Sequence, residues 1–227
     1  MCGRYTVTQP KNIIRELQGR AGFVDCSSRF NIAPGQTAPV IRADKPSHSK
    51  LVSMSWGFLA PWARVKEPVR RRIINVRVEK VERKVRFREC LESRRCVVLA
   101  DGFYEWRRMQ QRKQPYLFRL ENGVPFGFAA IWECADEDVQ RFTILTTVAN
   151  QLVGEFHHRM PVILNERTRK EWLDYRSSDN VLRAMFEPFT ATRMERYPVS
   201  DYVNSPNNEG AGCIERIMEP KIDTLFS

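Results

Sequence analysis

Short apolar runs alternate along the chain with polar stretches that contain glycine, proline, asparagine or aspartate. A period of two between apolar positions predicts half-buried strands, and short continuous apolar runs predict buried strands. On this pattern we expect strands at 40–41, 51–56, 73–78, 96–100, 116–120, 126–132, 142–148 and 197–203. Apolar positions three or four residues apart predict helices at 6–18, 79–92, 166–175 and 180–186.

The predicted elements mix strands with helices, and no Gly/Ser-rich linker, internal repeat or low-complexity tract divides them. A chain of 227 residues is long enough to bury one sizeable core without disulfides or metals. The predicted fold class is therefore α+β, arranged as one domain with a short C-terminal tail.

The composition favours a soluble protein with an anionic partner. The chain carries 37 Lys and Arg against 27 Asp and Glu, a formal net charge of +10. Inside a cell the commonest polyanion is nucleic acid, although a protein can also be basic without such a partner. No apolar run approaches the ~20 residues of a membrane span. The N-terminus lacks the apolar core of a signal peptide, so we expect a cytoplasmic protein.

The cysteine spacing argues against metal and disulfide chemistry. The six cysteines are Cys2, Cys26, Cys90, Cys96, Cys134 and Cys213. No pair has C-x-x-C spacing and none lies at zinc-ligand spacing from a histidine, so we expect no metal site. Five of the six are interpreted as small buried apolar residues. Walker and dinucleotide-binding motifs are also absent, so we expect no nucleotide cofactor.

Cys2 differs from the others because it follows the initiator Met1 directly. Removal of Met1 would leave a 1,2-aminothiol, whose amine has a pKa near ~7.7–8.0 and whose thiol has one near ~8.5. Such an amine condenses with an aldehyde to an imine, and the neighbouring sulfur can then close a thiazolidine. The alternative is that a cysteine at this position is accidental.

Three further side chains are candidates for chemistry. Glu105 is flanked by aromatic residues, which predicts desolvation and a raised pKa suited to acid–base work. His157 is one of only three histidines, and histidine moves protons near neutral pH. Asn75 stands in a strand-like apolar run where asparagine is disfavoured, as expected of a polar group that faces a site. Each can equally be a structural residue.

Basic residues are interleaved with aromatic ones along the chain, as in Arg4–Tyr5 and Arg107 after Trp106. Stacking surfaces beside cations suit single-stranded nucleic acid better than duplex. Arg77 lies two residues after Asn75 on the same face of the predicted strand, where it can meet a phosphate.

Eight segments in chain order resemble the SRAP family, the SOS-response-associated peptidases that process abasic sites in DNA. The segments are Met1–Tyr5, Phe30–Gly35, Trp56–Trp62, Ile74–Glu79, Ala100–Trp106, His157–Leu164, Pro198–Ser200 and Val203–Pro206. The resemblance implies an SRAP-like domain over residues 1–214, with a mostly antiparallel or mixed, barrel-like sheet core flanked by helices. Residues 215–227 are then the tail.

The resemblance also implies a covalent activity and a set of site residues. Family members bind single-stranded DNA at an abasic site and crosslink to it through a thiazolidine, which shields the lesion. Carried over, the catalytic residues are Cys2 as nucleophile, Asn75 as a positioning group, and Glu105 and His157 in proton transfer. The expected DNA-binding residues are Arg4, Asn31, Trp62, Arg77 and Thr146. We expect a monomer that acts as a stoichiometric reagent and that can remove its own Met1.

Three other activities remain open at this point. A thiol peptidase would use Cys2, His157 and Asn75 as a Cys-His-Asn set. An abasic-site lyase would use the amine to form an imine and promote strand scission by β-elimination. A single-strand binding module would need only the basic and aromatic residues.

Overall fold

The computed structural model describes residues 2–11, 14, 27–45, 48–60, 72–110, 112–134 and 139–219. Fifteen strands are numbered along this part of the chain. They are β1 (Tyr5–Val7), β2 (Arg29–Ile32), β3 (Thr37–Lys45), β4 (His48–Trp56), β5 (Phe58–Leu59), β6 (Arg72–Ile73), β7 (Asn75–Arg77), β8 (Arg95–Ala100), β9 (Gly102–Arg108), β10 (Lys113–Leu120), β11 (Phe126–Cys134), β12 (Gln140–Val148), β13 (Arg159–Pro161), β14 (Ile163–Leu164) and β15 (Met194–Pro198).

Short helices connect and cover the strands. They are α1 (Val78–Val81), α2 (Val85–Ser93), α3 (Gln151–Gly154), α4 (Glu166–Leu173) and α5 (Asp179–Ala184). A capping box begins α4, because the Asn165 side chain accepts from the Thr168 amide at 3.0 Å while Thr168 Oγ1 accepts from the Asn165 amide at 3.0 Å. The helices predicted at 166–175 and 180–186 are confirmed as α4 and α5, and each is shorter than predicted.

The strands form two larger sheets, one of which closes on itself. The first has the order β15-β10-β9-β1-β2. In the second, β12-β4-β3-β8-β11 is completed by a β11–β12 pairing into a ring, with β13, β14 and β7 attached. The β12–β4 and β12–β7 pairs are parallel, whereas the other pairs of this sheet are antiparallel. The predicted α+β class with a mixed, barrel-like sheet is confirmed.

Buried aromatic rings join the two sheets. Tyr5 of the first sheet packs edge-on against Trp56 and Phe128 of the ring, with centroid separations of 5.2 and 5.7 Å. Trp56 in turn stacks on Phe142 at 6.2 Å. Offset and edge-to-face pairs of this kind add to the free energy gained by burying the rings. The core therefore holds β1, and with it the N-terminus, against the ring.

Asp101 anchors the chain after β1. Its carboxylate accepts from Thr6 Oγ1 at 2.5 Å, from the Thr8 amide at 2.6 Å and from the Gln9 amide at 3.2 Å. Within the predicted range 6–18, residues 6 and 7 belong to a central strand paired with β2 and β9, and residues 10, 11 and 14 are helical, as expected for a helix that begins after Thr8. The rest of that prediction falls largely outside the described residues.

Three other local predictions are corrected. The run predicted as one strand at 73–78 is divided, and Val78 begins α1. The helix predicted at 79–92 is likewise two helices, because Lys84 has extended backbone. The strand predicted at 197–203 ends at Pro198 and is followed by a 3-10 turn at Asp201–Asn204. The last of these breaks places Asn204 in the cleft described below.

The cysteine predictions hold in part. Cys90, Cys96 and Cys213 are buried free thiols, whereas Cys134 is exposed and Cys26 lies outside the described residues. Cys2, which was set apart from the buried class, is itself fully buried. No helix within the described residues is long and apolar enough to cross a bilayer.

The predicted tail is packed against the domain where it is described. Arg216 and Val199 form an isolated antiparallel β-bridge through their backbones, and Tyr116 donates a hydrogen bond to the Glu219 carboxylate at 2.5 Å. The boundary predicted at residue 214 stays a prediction.

A substitution at Gly127 can test how closely the ring is packed. A Cβ built there lies 2.2 Å from Cγ1 of Val97, a buried and stiff β-branched side chain, whereas one built at Gly154 meets no atom within 4 Å. We expect Gly127→Ala to lower the free energy of unfolding by about 1–3 kcal/mol. The control Gly154→Ala should leave it unchanged or raise it by up to about 1 kcal/mol. Urea unfolding measures both, and equal values for the two variants would contradict this packing.

Candidate active site

Cys2 lies in the extended segment that leads into β1 and is fully buried. Its backbone carbonyl accepts a hydrogen bond from the Asn75 side-chain amide at 2.8 Å. Its thiol donates to the Arg4 carbonyl at 3.6 Å. Asn75 begins β7, which is held by parallel pairing with β12, so the amide that grips residue 2 stands on the ring. The structure thus brings together the first two predicted catalytic residues.

Glu105 lies on β9, the strand that pairs with β1, and is 5% exposed. Burial raises the pKa of its carboxyl above the ordinary value. Burial and, secondly, the nearby Glu105 carboxylate raise the pKa of the Cys2 thiol. The two groups therefore interact electrostatically, and the sulfur is held as a protonated thiol at neutral pH.

His157 follows α3 and is held in one tautomer. Its Nδ1 accepts a hydrogen bond from the Arg159 amide at 3.0 Å, so in the neutral ring the proton lies on Nε2. Burial, aided by nearby positive charge that includes His158, lowers the pKa of His157 to about 4. The ring is stacked on His158 with centroids 4.4 Å apart. At neutral pH His157 is an uncharged hydrogen-bond donor through Nε2.

Glu105 and His157 meet in one cleft of about 670 Å³. Its other lining residues are Arg4, Trp106, Arg107, Arg108, Lys113, Glu155, Phe156 and Asn204. Four cationic side chains stand there against two carboxylates, so the cleft favours an anionic ligand. Cys2 and Asn75 do not line the cleft, but Cys2 is buried two residues before Arg4, which does.

Arg4 and Asn31 build one wall of the cleft. Arg4 donates to Asn31 Oδ1 and to the Val203 carbonyl, both at 2.8 Å, and to the Asn204 carbonyl at 3.1 Å. The Asn31 amide donates to the Ser205 carbonyl at 2.9 Å. Asn31 is fully buried and its amide supports this wall, so its contact with DNA stays a prediction. Arg4 reaches the cleft, and its contact with DNA stays a prediction.

The other expected DNA-binding residues are placed differently. Thr146 is fully buried on β12, where its hydroxyl donates to the Val76 carbonyl at 3.4 Å. Thr146 therefore joins β12 to β7, and its contact with a ligand stays a prediction. Arg77 is exposed at the end of β7 and remains available to a phosphate. Trp62 lies outside the described residues.

Two residues of this region were not singled out from the sequence. Asn204 lines the cleft and accepts from Trp106 Nε1 at 2.7 Å. Arg159 orients His157 through its amide and is itself 5% exposed. Both stand within segments quoted for the family resemblance, which was the available signal. Their contacts join positions far apart in the chain, which local patterns do not reveal.

The sequence profile of a family described as SOS response associated peptidase (SRAP) matches residues 1–206. The chain belongs to the SRAP family. The matched range contains Cys2, Asn75, Glu105 and His157 together with the cleft wall at Asn204.

Two relatives carry the same functional name. The abasic site processing protein YoqW of Bacillus subtilis (strain 168) is 36% identical over 224 residues, which cover 95% of this chain and 99% of that protein. The abasic site processing protein YedK of Escherichia coli (strain K12) is 28% identical over 229 residues, covering 96% of this chain and 100% of that protein. A crystal structure of a protein from Bacteroides thetaiotaomicron matches with a TM-score of 0.80 at 24% identity, covering 96% of this chain and 100% of that one. This last likeness supports the fold alone.

The protonation of His157 in this SRAP protein is directly measurable. Because the pKa falls from an ordinary 6.5 to about 4, the folded ring stays neutral down to about pH 4. Between those values the unfolded chain takes up a proton that the folded chain does not, so this residue lowers stability as the pH falls through that window. A ¹⁵N NMR titration, assigned with His157→Gln, should show Nε2 protonated and Nδ1 unprotonated at pH 7. A midpoint near 6.5 or the opposite tautomer would contradict this assignment.

Proposed function

We propose that this protein processes abasic sites in single-stranded DNA by forming a covalent link through Cys2. The names of the relatives support an abasic site as the target, and the cationic lining of the cleft supports a polyanionic ligand such as DNA. The observation that carries the proposal is the 2.8 Å hydrogen bond from the Asn75 side chain to the Cys2 carbonyl, together with the buried Glu105 on the strand that pairs with β1. That arrangement fixes the backbone of residue 2 next to an acid–base group, as an N-terminal nucleophile requires.

The proposal requires that Met1 be removed. Hydrolysis of the Met1–Cys2 peptide bond consumes one water and frees the α-amine of Cys2. In the mature chain the amine on Cα and the thiol on Cβ then belong to the same residue, whose carbonyl oxygen is held by Asn75. An aminopeptidase can supply this step, and the family name allows that the protein performs it on itself.

The covalent step is a condensation. The Cys2 amine adds to C1′ of the open-chain abasic sugar, and loss of one water gives an imine. The Cys2 sulfur then adds to the imine carbon, its proton passes to the nitrogen, and a five-membered thiazolidine closes. The two steps release one water in total and need neither an oxidant nor a reductant. The nucleophilic form of the amine is available because an α-amine has a pKa near ~7.7–8.0.

Glu105 and His157 have complementary protonation states for this sequence. The raised pKa of Glu105 keeps a protonated fraction that can donate to the departing hydroxyl, and the resulting carboxylate can accept the thiol proton. The neutral His157 offers Nε2–H as a hydrogen-bond donor to a sugar hydroxyl without adding a positive charge beside the amine. Both side chains line the cleft that would hold the sugar.

The end of the β9–β10 hairpin supplies phosphate contacts for the same ligand. Arg108 and Lys113 stand directly opposite each other across the two strands, and both are exposed. Like charges in this position destabilise a strand pair, so their presence at the cleft suits an anion that bridges them. Trp106, on the same strand, presents an aromatic ring to the cleft on which a base can stack.

The first test is denaturing gel electrophoresis of Met-processed protein mixed with single-stranded DNA that carries one abasic site. We expect a shifted band that depends on the abasic site and is lost in Cys2→Ala, because no other residue carries both an amine and a thiol. The matched control is Cys134→Ala, which removes an exposed thiol and should leave the band unchanged.

Each alternative function gives a different result in that experiment. A lyase would yield a nicked strand, and a peptidase would cleave peptides in trans without a DNA band. A non-covalent module would bind the DNA equally well with Cys2→Ala and give no band. If mass spectrometry finds a free Cys2 terminus and no band forms, the crosslinking proposal is wrong.

The electrostatic interface predicts a measurable salt effect. Removing one phosphate contact should reduce the slope of log affinity against log salt by about 0.7 for single-stranded DNA. We expect Arg108→Gln and Lys113→Gln each to weaken binding of unmodified single-stranded DNA at low salt and to lower this slope. Lys170→Gln, which removes a cation paired with Glu166 on α4, is the matched control. An unchanged slope in both hairpin variants would remove the hairpin from the interface.

A further inference from the structure

Arg159 contacts three elements of the site at once. It is the first residue of β13 and is 5% exposed. Its backbone amide donates to His157 Nδ1 at 3.0 Å, and its guanidinium donates to the Thr146 carbonyl on β12. The same guanidinium makes two hydrogen bonds to the Glu79 carboxylate, at 2.7 and 2.9 Å. Arg159 therefore orients His157 with its backbone while its side chain is fixed elsewhere.

Glu79 connects this arginine to the strand that holds Cys2. It lies on α1, which follows β7 without an intervening loop, so only three residues separate it from Asn75. Asn75 donates to the Cys2 carbonyl at 2.8 Å. The ion pair thus joins the segment that positions the nucleophile to the segment that positions the histidine.

The pair has the properties of a rigid link. A bidentate Arg–carboxylate contact fixes orientation as well as distance. The Arg159 side chain is 6% exposed, and its Nε has no hydrogen-bond partner among the described residues. Its charge therefore depends on Glu79 for compensation. Donation from Arg159 lowers the pKa of Glu79, so the carboxylate stays ionised as the pH falls below its ordinary range.

We propose that Glu79 and Arg159 are positioning residues whose ion pair fixes His157 relative to Asn75 and the Cys2 terminus. This inference rests on the proposed function for its activity readout. Neither residue touches the reacting atoms in this proposal. Arg159 begins β13, whose backbone is also paired with β12, so loss of the ion pair would loosen this end of the strand and with it the single tautomer of His157, because the Arg159 amide holds Nδ1.

The test uses Met-processed protein and abasic single-stranded DNA, and compares Glu79→Gln with Glu82→Gln. Glu82 immediately follows α1 and accepts from Arg183 at 2.7 Å in an exposed pair, so its variant removes one acidic charge and one ion pair from the same region. We expect Glu79→Gln to lower the crosslinking rate constant at saturating DNA by about tenfold or more, as misplacement of a reacting group does. The half-saturating DNA concentration should change less than twofold, and Glu82→Gln should match the wild type in both.

A second readout is independent of DNA. In ¹⁵N NMR spectra, Glu79→Gln should show a mixture of His157 tautomers where the wild type and Glu82→Gln show Nε2–H alone. Glu79→Asp, which retains the charge, should restore part of the rate and of the tautomer. If Glu79→Gln fails to fold, Glu79→Asp decides by the same two measurements.

Three results would overturn the proposal. The first is that Glu79→Gln has the same crosslinking rate constant and the same His157 tautomer as Glu82→Gln. The second is that Glu79→Gln raises only the half-saturating DNA concentration, which would indicate that Glu79 contacts DNA. The third is unchanged rate and tautomer in a folded Glu79→Asp when Glu79→Gln does not fold. If wild type forms no crosslink, the proposed function fails, and the NMR comparison still tests the link between Glu79 and His157.

Discussion

The pairing of β1 on both edges is the constraint on which the site depends. Tyr5 is paired with Ile32 on one side and Phe103 on the other, and its ring is packed against Trp56. Cys2 lies three residues before Tyr5, so it can move no more than ~10 Å from that fixed point. Because β9 is one of the two partners, the same pairing also places Glu105 near residue 2. Cys2, near the start of the chain where residues usually fray, is thus held inside the protein.

Burial disfavours the charged form of both candidate acid–base groups of the site. Desolvation raises the pKa of Glu105 and lowers that of His157, so each environment disfavours the charged form. Positive charge is instead carried by the arginines and the lysine that line the cleft. Under the proposed function, the rim would attract a phosphate backbone and proton transfer would take place in the less charged interior.

Several residues of the family segments act on the fold. Arg4 and Asn31 fasten the segment from Val203 to Asn208, which carries Asn204 into the cleft wall. Thr146 joins β12 to β7, and Arg159 joins β13 to β12, next to the candidate catalytic residues. Polar residues in a short motif can thus serve a site without touching its ligand, since buried donors and acceptors must be paired with something. Here Arg4 and Asn31 are paired with carbonyls of the segment that carries Asn204, whereas Thr146 and Arg159 are paired with strand carbonyls of β7 and β12.

The amino-acid sequence by itself determined the α+β class, most strands, the helices at Glu166–Leu173 and Asp179–Ala184, and the candidates Cys2, Asn75, Glu105 and His157. These follow from local periodicity, capping and chemical type, which need only neighbouring residues. The ring closure through β11 and β12, the structural roles of Asn31 and Thr146, and the pairing of Glu79 with Arg159 were decided by the tertiary structure. Each depends on contacts between segments tens of residues apart, and whether a polar side chain faces a ligand or a buried carbonyl is settled only when those segments pack.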